Sequence, residues 1–301
     1  MIICAGEILI DRFIDGEKHI DKPGGAPFNV ACGMAKVGCK VGFFGSVGDD
    51  EEGESLLGFA AGFGFDPLSI KTIDGKKTTI AEVSLVNGER SFRFDREDMT
   101  DALLDFEEFK ALLASKPNIV HFGSLMVCYD FGREFLRLAA SECQKRGITT
   151  SFDVNYRDDI FASKEEAIAI YRDLVPLFDI VKMSDEEQAI LYPSGYETRP
   201  GQLLVLSCGK SGSKAYLERK EYSAPSTPLK PVDTTGAGDA FYSLFLSEVD
   251  ACGDISKLDV VKALHYANAA GAIATQRVGA ISSLPTLDEV KAFADEKRLV
   301  L

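Results

Sequence analysis

Residues 231–241 read Pro-Val-Asp-Thr-Thr-Gly-Ala-Gly-Asp-Ala-Phe, and a largely apolar run without helix breakers continues to residue 246. The pattern predicts a tight turn that opens directly into a helix. Gly236 and Gly238 have no Cβ, so the backbone of this turn can lie close to a ligand. The first N–H groups of a helix lack internal partners and lie at the positive end of its dipole. The turn is therefore a predicted site for an anion such as phosphate.

Asp239 adds a carboxylate to the same turn. A bound phosphate repels a carboxylate, so a loop that only binds phosphate would not place one there. A reaction that must take a proton from an attacking hydroxyl group needs a carboxylate at this position. The alternative is an ordinary turn in which Asp239 only favours the positive end of the helix dipole.

The composition is that of a globular protein. The chain has 301 residues, of which 46% are hydrophobic and 27% are charged. This length suits one large α/β domain or two small ones. The formal net charge of −14 argues against binding to nucleic acid or to an anionic membrane surface, since excess Lys and Arg drive both kinds of binding. It leaves open a small anionic substrate held by a locally positive site.

The cysteine pattern favours a cytoplasmic protein with reduced thiols. The seven cysteines are scattered, none forms a C-x-x-C pair, and the three histidines are far apart, so a zinc site is not expected. The first residues lack the basic start of a signal peptide, and no run of about 18 apolar residues predicts a membrane span.

Alternating helical and strand patterns predict an α/β fold. The predicted strands cover residues 2–10 (broken at Gly6-Glu7), 41–47, 119–124, 149–157, 180–183 and 203–207, and predicted helices cover 106–115, 131–147, 165–177 and 185–191. This alternation specifies a largely parallel sheet wrapped by helices. Ligands of such folds bind at the carboxyl ends of the strands. Five residues are predicted to fall at those ends: Asp11, Asn155, Arg157, Ser184 and Gly209.

Two further stretches predict a small sheet outside this body. Asn87-Gly88 lies between two strand-like runs, which is the strongest short-range signal for a β-hairpin. Residues 13–21 alternate between apolar and polar side chains and predict one more strand. Together these strands form a predicted lid. Gly24-Gly25 then precedes a predicted helix, so a ligand could approach the backbone closely there with Asn29 facing it.

The segment Asp233–Phe241 resembles, residue for residue, the C-terminal signature of the PfkB (ribokinase-like) family of carbohydrate kinases. The segment Pro23–Ala31 resembles the N-terminal signature of that family, in the form that fructokinase-like members carry. The resemblance implies one ribokinase-like domain over residues 1–301. It also implies a three-layer α/β/α fold with a mostly parallel central sheet. Lid strands are expected at about residues 12–22 and 76–96, with a homodimer formed through the lid.

The resemblance also implies roles for individual residues. Asp239 is the expected catalytic base, and Gly236, Ala237 and Gly238 supply the backbone of the anion site. The expected sugar-binding residues are Asp11, Gly24, Gly25, Asn29, Phe94, Arg96 and Arg157. The expected nucleotide-binding residues are Ser184, Ser207, Gly209, Gly212 and Asn268. Glu187 is expected to hold Mg²⁺ through water. A monovalent cation, K⁺, is expected at Asp233, Thr235, Ala274, Arg277, Gly279 and Ser283.

The implied activity is ATP-dependent phosphorylation of a primary hydroxyl group of a small sugar, with fructose as the first expectation. 2-Keto-3-deoxygluconate kinase is the alternative, because its substrate carboxylate would suit Arg96 and Arg157. Phe94 and Asp95 stand where that enzyme type carries tyrosines, which favours a neutral sugar. A non-catalytic sugar or nucleotide sensor is an alternative of another class. The presence of Asp239 argues against it, since a sensor needs no base.

Overall fold

The computed structural model describes residues 1–15, 18–86, 89–95, 99–227 and 229–296, with the backbone alone described for residues 15, 18, 83–86 and 89–95. The strands within these ranges are β1 (Ile2–Ala5), β2 (Leu9–Asp15), β3 (Lys18–Gly24), β4 (Val41–Gly48), β5 (Leu68–Ile73), β6 (Ile80–Val86), β7 (Glu89–Asp95), β8 (Ile119–Phe122), β9 (Thr149–Asp153), β10 (Ile180–Ser184), β11 (Leu203–Ser207), β12 (Ser213–Leu217) and β13 (Lys220–Ala224). The α-helices are α1 (Ala26–Lys36), α2 (Glu51–Ala61), α3 (Phe106–Leu112), α4 (Asp130–Lys145), α5 (Lys164–Leu174), α6 (Asp185–Leu191), α7 (Ala237–Cys252), α8 (Val260–Ala274), α9 (Ala280–Ser283) and α10 (Leu287–Glu296).

Nine of the described strands form the central sheet, in the order β13-β12-β11-β10-β9-β8-β1-β4-β5. Neighbouring strands pair in parallel from β11 to β5, and β12 and β13 add an antiparallel edge. Parallel neighbours need crossover connections, which place helices on the faces of a sheet. The predicted mostly parallel sheet is confirmed.

Two hydrophobic cores lie on opposite faces of the central sheet. Ile2 and Cys4 of β1 point into one core, together with residues of α1, α7 and α8. Ile3 and Ala5 point into the other core, together with residues of α4 and α5. Every residue of β1 is buried because helices cover both faces of the sheet. The predicted three-layer arrangement of helices, sheet and helices is confirmed.

The second sheet of the described chain has four strands in the order β3-β2-β6-β7. The pairs β2–β3 and β6–β7 are antiparallel, and β2 pairs with β6 in parallel. This is the predicted small sheet, and we call it the lid sheet. The prediction of one strand over residues 13–21 is wrong, since that stretch contributes to both β2 and β3.

The predicted first strand over residues 2–10, broken at Gly6-Glu7, is in fact two strands that belong to different sheets. β1 ends at Ala5, and Gly6 adopts a φ of 143° that side-chain-bearing residues rarely reach. A Cβ on Gly6 would lie 2.9 Å from Cγ of Pro27, so only glycine fits this turn. The chain then leaves the central sheet and enters β2. Asp11 therefore lies within the lid sheet opposite Lys22, and not at the carboxyl end of a central strand.

β9 is shorter than predicted. It ends at Asp153, and Asn155 two residues later has a φ of 35° in the left-handed region. A strand cannot continue through that conformation. Residues 154–157 therefore leave the sheet edge as a loop, which carries Arg157 towards the lid sheet.

No disulfide joins cysteines within the described ranges. None of the described helices is both long and apolar enough to cross a membrane.

Candidate active site

The turn before α7 has the predicted shape. Gly236 has a φ of 74° and precedes the first residue of α7 without a side-chain cap. A Cβ on Gly236 would lie 2.7 Å from Cα of Ala280, so the close packing of the turn requires glycine. The N–H group of Ala237 donates to the carbonyl of Thr234 at 3.2 Å, which occupies one of the expected anion donors. Among the described residues, the N–H groups of Gly236 and Gly238 have no acceptor and remain available.

Asp239 receives a hydrogen bond from a residue far away in the chain. The Nδ2 atom of Asn29 donates to Oδ2 of Asp239 at 2.8 Å. Asn29 lies in the first turn of α1, which begins after Gly25. The predicted Gly-Gly turn and the predicted anion turn thus lie together, because α1 packs against α7. An amide that donates to a carboxylate fixes its orientation and stabilises its charged form.

The pKa of Asp239 is raised above its ordinary value, chiefly by burial. The hydrogen bond from Asn29 and the positive charges of Lys182 and Arg157 oppose that rise. A raised pKa makes a carboxylate a stronger base, which suits a residue that must accept a proton near neutral pH.

Asp239 faces a cavity of about 360 Å³ between the central body and the lid sheet. We call this the first cavity. Four predicted sugar-binding residues line it: Asp11, Gly25, Asn29 and Arg157. Leu9 and Ala81 of the lid sheet also line it, as does Asp11 from the same sheet. The lid strands therefore supply part of the wall of the cavity that holds the candidate base.

The remaining predicted sugar-binding residues are placed differently. Gly24 packs directly against Asp11, since a Cβ on Gly24 would lie 2.4 Å from Oδ2 of Asp11. Gly24 therefore makes room for that carboxylate. The backbone of Phe94 pairs with Ala81 in the lid sheet, but its side chain lies outside the described part of the structure. Arg96 also lies outside the described residues.

A second cavity, of about 580 Å³, opens on the other side of the same turn. Four predicted nucleotide-binding residues line it: Ser207, Gly209, Gly212 and Asn268. Thr234 and Gly238 line both cavities. A molecule that fills the second cavity therefore has one end at the start of α7, beside Asp239.

Ser184 does not line either cavity. Its hydroxyl group accepts the N–H of Glu187 at 3.0 Å and caps the start of α6. The carboxylate of Glu187 completes the cap, because Oε2 accepts the N–H of Ser184 at 2.6 Å. Its other oxygen accepts the N–H of Tyr156 at 2.7 Å. Both oxygens of Glu187 thus bind backbone groups, which fits at most a contact to a metal through water.

The predicted cation loop is held together by Asp233. One carboxylate oxygen accepts the N–H and hydroxyl groups of Thr235 at 2.8 and 2.7 Å, and the other accepts the N–H of Gly279 at 2.9 Å. Ser283 donates its hydroxyl to the carbonyl of Ala280. The carbonyl of Ala274 accepts the N–H of Arg277. A buried carboxylate beside main-chain carbonyls supplies the oxygen ligands that K⁺ takes in proteins.

Sequence reasoning missed the ion pair between Lys182 and Asp153. Nζ of Lys182 lies 3.0 Å from Oδ2 of Asp153, and the two side chains are 9% and 3% exposed. Lys182 also lines the first cavity. Burial raises the pKa of Asp153 to about 6, although Lys182 opposes that rise. The available signal was a lysine inside the apolar run Ile180-Val181-Lys182-Met183, because a lysine is rarely buried without a charged partner.

Comparisons with known proteins agree with this geometry. A model of the pfkB family of carbohydrate kinases matches residues 15–287 of the chain. The probable fructokinase-5 of Arabidopsis thaliana is 33% identical, over 99% of this chain and 98% of its own length. The structure of a fructokinase with bound ATP from Xylella fastidiosa matches with a TM-score of 0.89 and 29% identity, over 99% of this chain and 98% of that one. The structure of a fructokinase from Vibrio cholerae O395 with fructose, ADP and calcium matches with a TM-score of 0.84 and 26% identity, over 97% and 98% of the two chains.

Proposed function

Because the chain belongs to the pfkB family of carbohydrate kinases and is an ATP-dependent sugar kinase, we propose that it transfers the γ-phosphoryl group of ATP to a primary hydroxyl group of fructose. The observation that supports this most directly is the position of Asp239. It lies where the two cavities meet, at the start of α7, and Asn29 orients it. We assign the first cavity to the sugar and the second to the nucleotide.

In this proposal Asp239 is the general base. The carboxylate accepts the proton of the attacking sugar hydroxyl as the new O–P bond forms. The bond between the γ-phosphorus and the bridging oxygen of ATP breaks at the same time, and ADP leaves. The N–H groups of Gly236 and Gly238 stabilise the charge on the transferring group. Closure of the lid sheet over the sugar excludes water that would otherwise accept the phosphoryl group.

Fructose is favoured by the similarity to fructokinases over nearly the whole chain. The wall of the first cavity also carries Asp11, a carboxylate that suits the hydroxyl groups of a neutral sugar. Arg157 in the same wall supports the alternative, 2-keto-3-deoxygluconate, because a guanidinium group binds a carboxylate well. A non-catalytic sensor would have no use for a half-buried base oriented by an amide.

We also propose that Mg²⁺ and K⁺ take part. In the described residues no group of three or more acidic, histidine or cysteine side chains could hold a metal ion. This fits Mg²⁺, which commonly binds one or two carboxylates and the phosphates of its substrate. Glu187 would contact it through water, and the ion would neutralise charge on the phosphates. The loops joined by Asp233 would hold K⁺ beside the anion site.

The lid sheet is our proposed dimer interface. Ile14 and Ile20 are 40% and 63% exposed on it, and burial of such side chains against a second copy would stabilise a homodimer. We expect light scattering to give twice the mass of the chain. We also propose that the protein is located in the cytoplasm, where ATP is available.

A substrate panel tests the proposed function. ADP formation is measured with fructose, ribose, 2-keto-3-deoxygluconate and a nucleoside, each at several concentrations. We expect fructose to give the highest kcat/KM. A higher value for 2-keto-3-deoxygluconate would transfer the assignment to the acidic sugar. If none of the four compounds increased the rate of ADP formation, both fructose and 2-keto-3-deoxygluconate would be wrong as substrates.

A further inference from the structure

Lys182 occupies an unusual place for a lysine. It lies on β10 in the centre of the main sheet and is 7% exposed. Its strand neighbours Val181 and Met183 belong to the core on one face of the sheet, and Ile180 belongs to the core on the other face. Because side chains alternate along a strand, Lys182 points to the same face as Ile180, which is the face that α7 covers. The charged group is therefore directed from the sheet towards the helix that carries Asp239.

The partner of Lys182 is only partly satisfied. Asp153 lies beside Lys182 on the neighbouring strand β9, and its Oδ2 accepts Nζ at 3.0 Å. Its other oxygen, Oδ1, is buried and has no hydrogen-bond partner among the described residues. A buried ion pair loses hydration on both charges, and apolar residues of similar size would often be at least as stabilising. Stability alone therefore gives little reason for this pair.

The ammonium group lies beside the anion turn. A Cβ built on Gly238 would be 3.6 Å from Nζ of Lys182. Gly238 lines both cavities, and its N–H has no acceptor in the described part of the chain. A lysine ammonium and the N-terminus of a helix are both positive and repel each other. An anion that lies between them relieves this repulsion and binds to both.

Nearby charges keep Lys182 protonated. Burial alone lowers its pKa, but the carboxylates of Asp153, Glu187 and Asp239 outweigh burial and leave the pKa raised. Lys182 in turn lowers the pKa of Asp239, as Asn29 and Arg157 also do. The ammonium thus remains a fixed positive charge at the point where the two cavities meet.

From this geometry we propose that Lys182 is a catalytic residue that binds the transferring phosphoryl group, and that Asp153 is the positioning residue that holds its ammonium group in place. The proposal rests on the sugar kinase reaction described above and does not depend on which sugar is phosphorylated. Bond making, bond breaking and proton transfer to Asp239 are unchanged. Lys182 supplies a hydrogen-bond donor and a positive charge as negative charge develops on the phosphoryl oxygens.

The test removes the pair without leaving a buried charge. We compare the wild type, Lys182→Met, and the double variant Lys182→Met with Asp153→Leu. The double variant replaces both charged groups by apolar ones of similar size, so we expect its melting temperature to stay near that of the wild type. We expect its kcat to fall by about 10²–10³, as when one donor is removed from a transition-state anion site. The KM for the sugar should change little.

The pH dependence of kcat separates a catalytic from a structural role. Loss of the ammonium raises the pKa of Asp239, so the acid limb of the profile should move to higher pH in Lys182→Met. In the double variant the loss of the Asp153 carboxylate offsets part of this rise, so the limb should move less. Asp153→Asn keeps the ammonium but loosens its position, so kcat should fall less and the limb should shift less. Lys71→Met, which removes an exposed lysine paired with Glu108, is the matched control and should leave kcat unchanged.

A wild-type kcat in the double variant, or a wild-type pH profile in Lys182→Met, would overturn the proposal and leave the pair a structural one. Loss of kcat together with loss of folding in the double variant would do the same, because it would show that the pair is needed for stability. These outcomes are distinct from failure of the proposed substrate. The same variants can be assayed with whichever sugar the wild type phosphorylates, since the transferred group is the same.

Discussion

The two cavities that meet at the start of α7 are built from different chemistry. The first cavity is lined by charged and amide side chains, among them Asp11, Asn29, Arg157, Lys182 and Asp239. The second is lined by glycines and apolar side chains, among them Gly209, Gly212, Gly271, Leu229 and Phe241. Side chains that titrate or donate hydrogen bonds can activate a sugar hydroxyl. The second cavity has a largely apolar surface with a few polar side chains, such as Ser207 and Asn268, so it binds mainly by shape. Substitutions in the first cavity should therefore act mainly on kcat, and those in the second on the KM for ATP.

The largest effect is expected from Asp239→Asn. The amide keeps the shape of the side chain but cannot accept the hydroxyl proton, so kcat should fall by roughly 10²–10⁴. Calorimetric titration with a non-hydrolysable ATP analogue should give an affinity close to that of the wild type. Turnover at the wild-type rate would contradict the role of Asp239 as the general base. It would also contradict the expectation that substitutions in the first cavity act mainly on kcat.

The next effect concerns the backbone that both cavities share. Gly236→Ala adds a Cβ that would lie 2.7 Å from Cα of Ala280, so the turn before α7 must move. The displaced N–H groups would no longer face the γ-phosphate, and we expect kcat to fall by about 10², as for a misplacement of about 1 Å. A steady-state assay and a melting curve measure the two consequences.

Gly253→Ala is the matched control for that substitution. Gly253 ends the same helix with a φ of 72°, close to the 74° of Gly236, but a Cβ there meets nothing within 4 Å. Left-handed backbone strain should cost both variants about 1–2 kcal/mol of stability, and the overlap with Ala280 should add to this cost in Gly236→Ala. Only Gly236→Ala should also lose kcat. An equal loss of kcat in both variants would mean that strain in α7, and not the position of the anion donors, limits turnover.

A smaller effect is expected from Asn29→Leu, which removes the hydrogen bond to Asp239 and keeps a similar shape. We expect kcat at neutral pH to fall about tenfold, equivalent to about 1.4 kcal/mol, a modest value for a hydrogen bond to a charged group. The bond stabilises the ionised carboxylate, so its loss raises the pKa of Asp239 further, with Lys182 and Arg157 still opposing the rise.

The acid limb of the kcat profile should consequently move to higher pH in Asn29→Leu, because Asp239 becomes protonated and inactive at a higher pH. Measurement at saturating sugar separates this effect from weaker sugar binding. An acid limb at the wild-type position would contradict the role of Asn29 in tuning the base.

The parts of this site that could be predicted from the sequence are those that lie close together in the chain. Gly236, Gly238 and Asp239 fall within four residues, and the helix pattern after them places all three at one helix start. The contact between Asn29 and Asp239 joins residues 210 positions apart, and no local pattern specifies it. The sequence predicts that Asn29 and Asp239 each lie near a ligand. The hydrogen bond between them forms because α1 packs against α7.

The predictions that differ from the structure also have physical causes. Asp11 is predicted at the edge of the central sheet because apolar runs flank Gly6-Glu7 on both sides, and hydrophobicity does not reveal that the chain changes sheets at this interruption. Lys182 was overlooked because it lies within a strand, and its partner is on a different strand. The sequence predicts only a metal contact through water for Glu187, although acidic residues at a helix start also suit capping. The capping contact is present in the structure, and the metal contact stays a prediction.

The smallest effect tests the boundary of the second cavity. Ser184 was expected at the nucleotide, but its hydroxyl caps α6. Ser184→Ala should therefore cost about 1 kcal/mol of stability, the usual value of an N-cap, and leave the KM for ATP unchanged.

Ser207→Ala, in the wall of the second cavity, is the partner variant and should raise the KM for ATP with little change in melting temperature. If Ser184→Ala raised the KM for ATP as much as Ser207→Ala without loss of stability, the nucleotide would have to reach α6.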